Sequence, residues 1–447
     1  MDAPHNTPVY HARRAALMHT MRQQSGGGVA IVRTAPEVAR NADSDYPYRF
    51  DSHFYYLSAF TEPEAVIVLL ANENQSILFC REKDLEREIW DGYRWGPEAA
   101  KQAFGFDQAH PISALPAMLP ALLANQPAVY HAMGQAAADT SLQAAYASIR
   151  SQARAGQTPP AQVRDITQVV AEMRLIKDAG ELATMQRAAD ISAAAHVRAM
   201  QTCRVGQREY HLEAELLHAF RHAGAQGVAY GSIVAAGANS CVLHYRAGNA
   251  ECKSGDMVLI DAGCELDGYA SDITRSFPAN GIFSGEQRAV YELVLAAQTA
   301  CIAALAPGKK FNEYNDAATR VLAQGMIDFG WLQGSLDGAL ESGSFRQFYM
   351  HRAGHWLGLD VHDCGDYRVP GSAAQGDAGR PWRALEAGMV LTVEPGLYVR
   401  PADNVPKGFW NISVRIEDDA VITPSGCTLT TRGVPVAIAE IEALMRH

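Results

Sequence analysis

A chain of 447 residues, 48% of them hydrophobic, is long enough for two domains with separate cores. A formal net charge of −11 with no basic run argues against a nucleic-acid partner, whose phosphates call for clustered Lys and Arg. No segment could span a bilayer and no signal-peptide pattern opens the chain. Eight scattered cysteines without a CxxC pair read as reduced thiols, so the expected address is the cytoplasm.

In chain order, Tyr10 to Gln23 has helical spacing, and Val29 to Arg33 and Phe54 to Ser58 read as strands. Ala65 to Ala71 and Ser76 to Cys80 form a hairpin through Asn72-Glu73-Asn74, and helices are expected near Asp84 to Trp90 and Pro97 to Phe104, which makes an α/β domain. The stretch Ala155 to Ala161, with its Gly and paired Pro, connects to a second domain. That domain opens at Asp178-Ala-Gly-Glu181, a capping-box pattern that starts a helix running to about Cys203. A weak internal repeat follows: helix, Gly206, helix and then MVLIDAG, and later helix, Gly308, helix and then MVLTVEPG. Two such halves would share a cleft at their seam.

Met257 to Cys264 reads as a strand, Asp267-Gly268 as a two-residue hairpin turn, and Tyr269 to Phe277 as the returning strand. If Leu266 pairs with Tyr269, Asp261 lies opposite Thr274 and Asp272 is its diagonal neighbour on the same face, about 7–8 Å away at the backbone. Further on, MVLTV ends at Glu394 just before Pro395-Gly396. Ile412 to Ile422 reads as a strand with Arg415 and Glu417 on one face, and His355 stands in HRAGHWLGLDVHD. Asp256 and Asp267, each beside Gly, read as ordinary turn residues.

Asp261, Asp272, Glu394 and Glu417 therefore each sit in an apolar run headed for a core. Burying an ionised carboxylate without a partner costs several kcal/mol or more, and the bases nearby are too few to neutralise four. A cation is implied. Four oxygen donors and one imidazole suit a hard or borderline divalent ion such as manganese, with cobalt, iron or zinc as alternatives, and match no structural zinc site.

The segments MVLIDAGCELDGYASDITRSFP, FYMHRAGHWLGLDVHD, AGMVLTVEPGLYV and VRIEDDAVIT resemble the metal-site motifs of the proline-specific aminopeptidases, the Xaa-Pro aminopeptidase (aminopeptidase P) branch of the pita-bread metallopeptidases. ADSDYPYRFDSHFYYLSAFTEPEAVIVLL and VVAEMRLIKD extend the resemblance over most of the chain. It implies an N-terminal α/β domain over residues 1–172 and an α+β pita-bread catalytic domain, of the creatinase/aminopeptidase type, over 173–447.

The resemblance also implies roles. Two divalent ions, manganese first among them, would be held by Asp261 on one metal, by Asp272 and Glu417 as bridges, and by His355 and Glu394 on the other. A hydroxide bridging them would be the nucleophile and Glu394 the general base. His244, His351 and His362 would line the cleft and donate to the scissile carbonyl or the intermediate. Arg415 and Tyr398 would stand behind or beside the substrate, and Tyr230, Trp90 and Arg154 around the pocket. The implied substrates are peptides with proline second, and the implied assembly is a homo-oligomer, tetramer or dimer. The alternatives are a prolidase confined to X-Pro dipeptides and an inactive binding scaffold.

Two departures stand out. Where relatives usually carry Gly and Ser between the two histidines, this chain places Arg352, Ala353 and Gly354, an added charge close to the cleft. The stretch 369 to 383 is longer than its counterpart, so that Arg380 and Arg383 compete for one basic position of the family. Both bear on the length of substrate that fits.

Overall fold

The structure, a computed structural model, describes residues 7–374 and 379–446. Residues 375–378, inside the long 369 to 383 stretch, lie outside the described residues, as do residues 1–6 and 447. The chain forms two compact units, Met1–Met173 and Arg174–His447.

The first unit is built on a six-stranded mixed sheet in the order Gln108–Pro111, Gln75–Cys80, Val66–Leu70, Val29–Arg33, Ala128–His131, Gln162–Asp165. The expected hairpin is present, with Val66 opposite Phe79 and Leu70 opposite Gln75, and Asn74 takes a left-handed φ of 52° in its turn. One face of the sheet buries Val29, Ile31, Val68, Ile77 and Phe79 against Leu115, Leu119, Leu123, Leu142 and Ile149 from the covering helices. Helices Leu85–Asp91 and Pro97–Phe104 form where the spacing predicts them.

Phe54 to Ser58 is a correction. It is not a strand but most of a helix, Ser52–Ser58, in which every residue except His53 is buried. Asp51 caps its first turn by accepting from the Phe54 N–H at 2.9 Å, and Ala59 closes it at φ 58°. A run this short and this uniformly apolar carries no period that separates helix from strand, and the Asp51 cap was the signal that did.

In the second unit, the Asp178 capping box starts the helix Ala179–Thr202 as expected. This helix and Glu209–His222 precede a three-stranded sheet of Ile233–Ala236, Met257–Asp261 and Thr274–Pro278. Gly285–Ala303 and Glu313–Asp328 then precede a second one, of Val390–Val393, Asp418–Thr423 and Gly426–Leu429. The same order of parts is laid down twice, and an apolar core including Phe220, Phe277, Tyr291, Trp331 and Trp356 runs through the unit.

A buried ion cluster ties the start of this unit to the segment that carries the histidines. Asp363 accepts from Arg174 at 2.5 Å and from Lys177 at 2.8 Å, all three being buried, and the Asp363 N–H donates to the Trp356 carbonyl. Burial alone would push the Asp363 carboxyl up, but Lys177 and Arg174 hold it below its usual value. Asp363→Ala removes the anion that Lys177 and Arg174 share, leaving the buried Lys177 without its ion-pair partner while Arg174 keeps Asp360 at 2.8 Å. Urea denaturation of this variant should show a loss of about 3–5 kcal/mol, the cost typical of breaking a buried pair from one side.

Candidate active site

The hairpin register is the one the turn arithmetic predicts: Leu266 pairs with Tyr269 and Asp261 with Thr274. The strands, however, are interrupted. The first stops at Asp261 and resumes at Cys264, and the second breaks between Ala270 and Thr274, the gap that holds Asp272. Gly263 is required there, since a Cβ would lie 1.7 Å from the Ser271 carbonyl oxygen. The helix Ala179–Thr202 supports the gap: the His196 ring donates to the Ala262 carbonyl at 2.9 Å, and Ser192 Oγ accepts from the Cys264 N–H at 3.0 Å.

The expected strand Ile412 to Ile422 is interrupted likewise, into Ile412–Arg415 and Asp418–Thr423, with Glu417 in the break. The carbonyls freed there are taken up by side chains from afar. Gln298 donates to the Ile416 carbonyl at 3.1 Å and Arg275 to the Glu417 carbonyl at 2.6 Å, while the Glu417 N–H donates to Thr274 O at 3.1 Å. Arg275 and Gln298 also donate to the two oxygens of the wholly buried Asp418, at 2.9 and 2.8 Å. The two gaps brace each other, for the Asp272 N–H donates to Asp419 Oδ2 at 3.1 Å.

Glu394 follows the strand Val390–Val393, and its N–H donates to the Ala353 carbonyl at 2.8 Å. Thr392 returns the tie, its N–H donating to the His355 carbonyl and its Oγ1 accepting from the His355 N–H at 3.1 Å. This approach is so close that a Cβ on Gly354 would sit 2.0 Å from the Thr392 carbonyl oxygen.

The result is a cavity of about 850 Å³ in the second unit, lined among others by Asp261, Asp272, His355, Glu394 and Glu417. One donor atom each from Asp272, His355 and Glu417 lies within 4.8 Å of the others. His355 Nε2 is 3.6 Å from both Asp272 Oδ2 and Glu394 Oε1, and its Nδ1–H donates to the Trp356 carbonyl at 2.9 Å, which leaves the Nε2 lone pair facing the acids. Thr274 Oγ1 donates to Glu417 Oε2 at 2.5 Å and Arg415 to Asp261 Oδ2 at 2.6 Å. The Tyr230 hydroxyl lies within hydrogen-bonding distance of both Asp261 Oδ1 and Asp272 Oδ1.

The electrostatics are those of a site short of positive charge. Burial and then the Asp261 charge push the Asp272 carboxyl well up; burial and then Asp272, Glu394 and Asp261 do the same to Glu417. Glu394 is pushed up to about 7 by burial, although Arg415 pulls it back. Burial and the neighbouring His362 lower His355 to about 4, so its imidazole is a neutral donor. One guanidinium shared among four converging acids leaves the cluster under-compensated, and four carboxylates with one imidazole are the donor set of a hard or borderline divalent ion. The residues present thus fit a metal site.

His244, His351, His362 and Tyr230 also line this cavity, as does Arg415. His351 differs from expectation. Its Nδ1–H donates to the Arg352 carbonyl at 2.7 Å and its Nε2 accepts from the Tyr398 hydroxyl at 2.8 Å, so neither ring nitrogen is left to donate to a substrate. Tyr398 is fully buried behind it and accepts from Arg415 at 2.7 Å, so it meets the cavity through these two neighbours. His244 and His362 are exposed to the cavity and form no hydrogen bond with the described residues. Trp90 and Arg154 belong to the first unit, Trp90 84% exposed on the helix Leu85–Asp91 and Arg154 exposed in the short turn Ala153–Ala155.

Some contributors had no signature of their own. Glu209, wholly buried, accepts from the Ala236 N–H, Asn239 Nδ2, the Tyr245 hydroxyl and the Gly248 N–H at 2.9–3.1 Å, and so shapes the loop that presents His244. Its place as the first acid of a helix reads as a dipole partner instead. Thr274 was legible as the partner of Asp261, but nothing pointed to its bond with Glu417.

Residues 183–424 match the model of metallopeptidase family M24, and residues 10–130 match the aminopeptidase P N-terminal domain. The Xaa-Pro aminopeptidase of Escherichia coli (strain K12) is 44% identical over 440 residues, covering 98% of this chain and 97% of that protein. The structure of Pseudomonas aeruginosa aminopeptidase PepP superposes with a TM-score of 0.94 at 48% identity, over 99% of this chain and 98% of that one. A zinc-substituted E. coli aminopeptidase P in complex with product gives 0.93 at 43%, over 100% and 99%. With the M24 match spanning more than half its length and relatives of this identity end to end, the chain belongs to metallopeptidase family M24 and carries the aminopeptidase P type of N-terminal domain.

Proposed function

We propose that this protein is an Xaa-Pro aminopeptidase, a hydrolase that removes the first residue of a peptide whose second residue is proline, and that it uses two divalent ions, manganese by preference. The observation that carries the reading is the meeting of four acids and one neutral imidazole in a single cavity, in a chain 44% identical to an Xaa-Pro aminopeptidase. Asp261, Asp272, His355, Glu394 and Glu417 would hold the ions. Bound there, they would supply Lewis acidity, polarising the scissile carbonyl and lowering the pKa of water.

The chain's own groups do the rest. Glu394, at the strand end, takes the proton from the attacking water on a carboxylate oxygen and returns it to the proline nitrogen, which departs as a secondary amine and must gain a proton to do so. His244 and His362, with ring nitrogens open to the cavity, donate to the substrate carbonyl as it gains charge. Arg415 holds Asp261 from one side, Tyr398 accepts from Arg415, and His351 in turn accepts from the Tyr398 hydroxyl. An X-Pro bond lacks an N–H and carries a ring, so the cleft must grip the carbonyl and the free amine.

The enzyme is further proposed to act in the cytoplasm as a homo-oligomer. In support of the first, all eight cysteines are free thiols. In support of the second, Leu85, Ile89, Trp90 and Tyr93 expose 73–84% of their surface on and beside one short helix, a grouping that favours a second copy of the chain. No helix of the described residues is long and apolar enough to cross a membrane.

The test is turnover of Ala-Pro-Ala beside Ala-Pro, with metal stripped and manganese restored. The tripeptide should be cleaved only in the restored protein. Cleavage of the dipeptide alone would replace the reading with a prolidase, and binding of metal without turnover of either would leave a scaffold.

A further inference from the structure

The cavity wall changes character from base to rim. At the base lie the buried acids and Arg415, already committed to Asp261. At the rim, Arg246 and Arg352 are exposed, and Arg368 and Trp382 are half-buried; all four line the same cavity. Arg368 and Trp382 face each other across an antiparallel bridge, with the guanidinium 3.3 Å from the ring centroid. Arg352 lies over the same ring at 4.7 Å and forms no ion pair among the described residues. One indole thus carries two guanidiniums, an arrangement that fixes their positions without neutralising them. Arg380 and Arg383, the two candidates for the family's basic position, are absent from this lining; Arg380 pairs with Asp366 at 3.5 Å and Arg383 is buried.

Charge accounting points the same way, and here the inference rests on the proposed aminopeptidase reading. Two divalent ions would answer the four acids, which leaves Arg352, with no ion pair among the described residues, as positive charge at the rim of the cavity. An enzyme that cuts after the first residue holds one residue on the inner side of the scissile bond and leads all the others outward, past the rim. Arg352 stands three residues before His355, so their Cα atoms are separated by at most about 11 Å, the span of roughly three residues of extended peptide.

We propose that Arg352, steadied with Arg368 on Trp382, binds a carboxylate on the substrate one or two residues beyond the proline, making the enzyme selective for peptides that are acidic there. The guanidinium fork matches a carboxylate, and the aromatic wall on one side of it limits competition by water. Peptides with a lysine at the same place are repelled by the same charges.

The experiment measures kcat/KM of the manganese-loaded enzyme for Ala-Pro-Glu-amide and Ala-Pro-Gln-amide, a pair that differs only in a charge, at low and at high salt. The expected Glu/Gln ratio is about five- to tenfold at low salt, shrinking as salt rises. In Arg352→Gln the ratio should fall to about one, and in Arg352→Lys most of it should remain, because a positive charge is kept. Since each ratio is taken within one protein preparation, partial misfolding of a variant cannot mimic the result. A ratio near one in the parent enzyme, or one unchanged in Arg352→Gln, overturns the proposal while leaving the aminopeptidase reading intact. Failure to cleave either peptide overturns both.

Discussion

Asp272→Ala should lower kcat/KM on an Xaa-Pro-Xaa tripeptide by at least about a thousandfold, roughly 4 kcal/mol of transition-state stabilisation at 1.36 kcal/mol per decade. Its carboxylate is the one that faces both Tyr230 and the His355 imidazole, and Asp272, His355 and Glu417 offer donors within 4.8 Å of one another. The loss should not come from unfolding. The carboxyl is pushed well up by burial and by Asp261, so in the metal-free protein it is a source of strain, and its removal relieves that strain. Metal-free Asp272→Ala is therefore expected to melt at or above the temperature of the metal-free parent at pH 8. A variant that keeps its rate, or one that is inactive because it no longer folds, contradicts this account.

Metal binding should reverse the way stability depends on pH. In the metal-free protein, Asp272, Glu417 and Glu394 have folded pKa values raised above their unfolded ones, Glu394 to about 7. A carboxyl of this kind contributes stability that is complete below its unfolded pKa and is lost as pH rises through the folded one. His351, His355 and His196, each lowered to about 4 by burial, act in the opposite sense between about pH 4 and 6.5, where the unfolded chain binds more protons. The two sets offset each other in that range, and above about pH 6.5 only the acids remain. The metal-free protein should then lose up to about 1.4 kcal/mol per pH unit for each acid that keeps its proton when folded. With manganese bound the proton becomes the competitor, and stability should hold or rise over the same interval. Melting curves from pH 6.5 to 8, with and without manganese, give the comparison. Parallel curves would mean that the acids are satisfied by the protein alone.

Much of this site was legible because it is local. The Asp267-Gly268 turn sets a register by parity, which is why the pairing of Asp261 with Thr274 follows from the local stretch of sequence between them. The Asp178 capping box is likewise complete within four residues. The interruptions that turn Asp272 and Glu417 into the cavity were not legible, since they depend on partners far along the chain: Arg275 for the Glu417 carbonyl and Gln298 for that of Ile416, 142 and 118 residues away. A strand pattern carries no mark of a carbonyl that will be satisfied by another element. His351 illustrates the same limit, because the Tyr398 hydroxyl that occupies its Nε2 lies 47 residues away. The Phe54 to Ser58 segment failed for the opposite reason: its burial on all sides erases the periodicity on which local reading depends.

The five converging side chains are expected to hold a pair of divalent ions on which hydrolysis depends. Manganese titrated into the stripped protein, with bound metal counted by calorimetry and Ala-Pro-Ala turnover followed in parallel, tests it directly. The expected result is saturation at two ions per chain, activity appearing with occupancy, and neither in a protein in which Asp272 and Glu417 are both replaced by Ala. Full turnover in the stripped protein, or unchanged manganese binding once those two acids are gone, would contradict it.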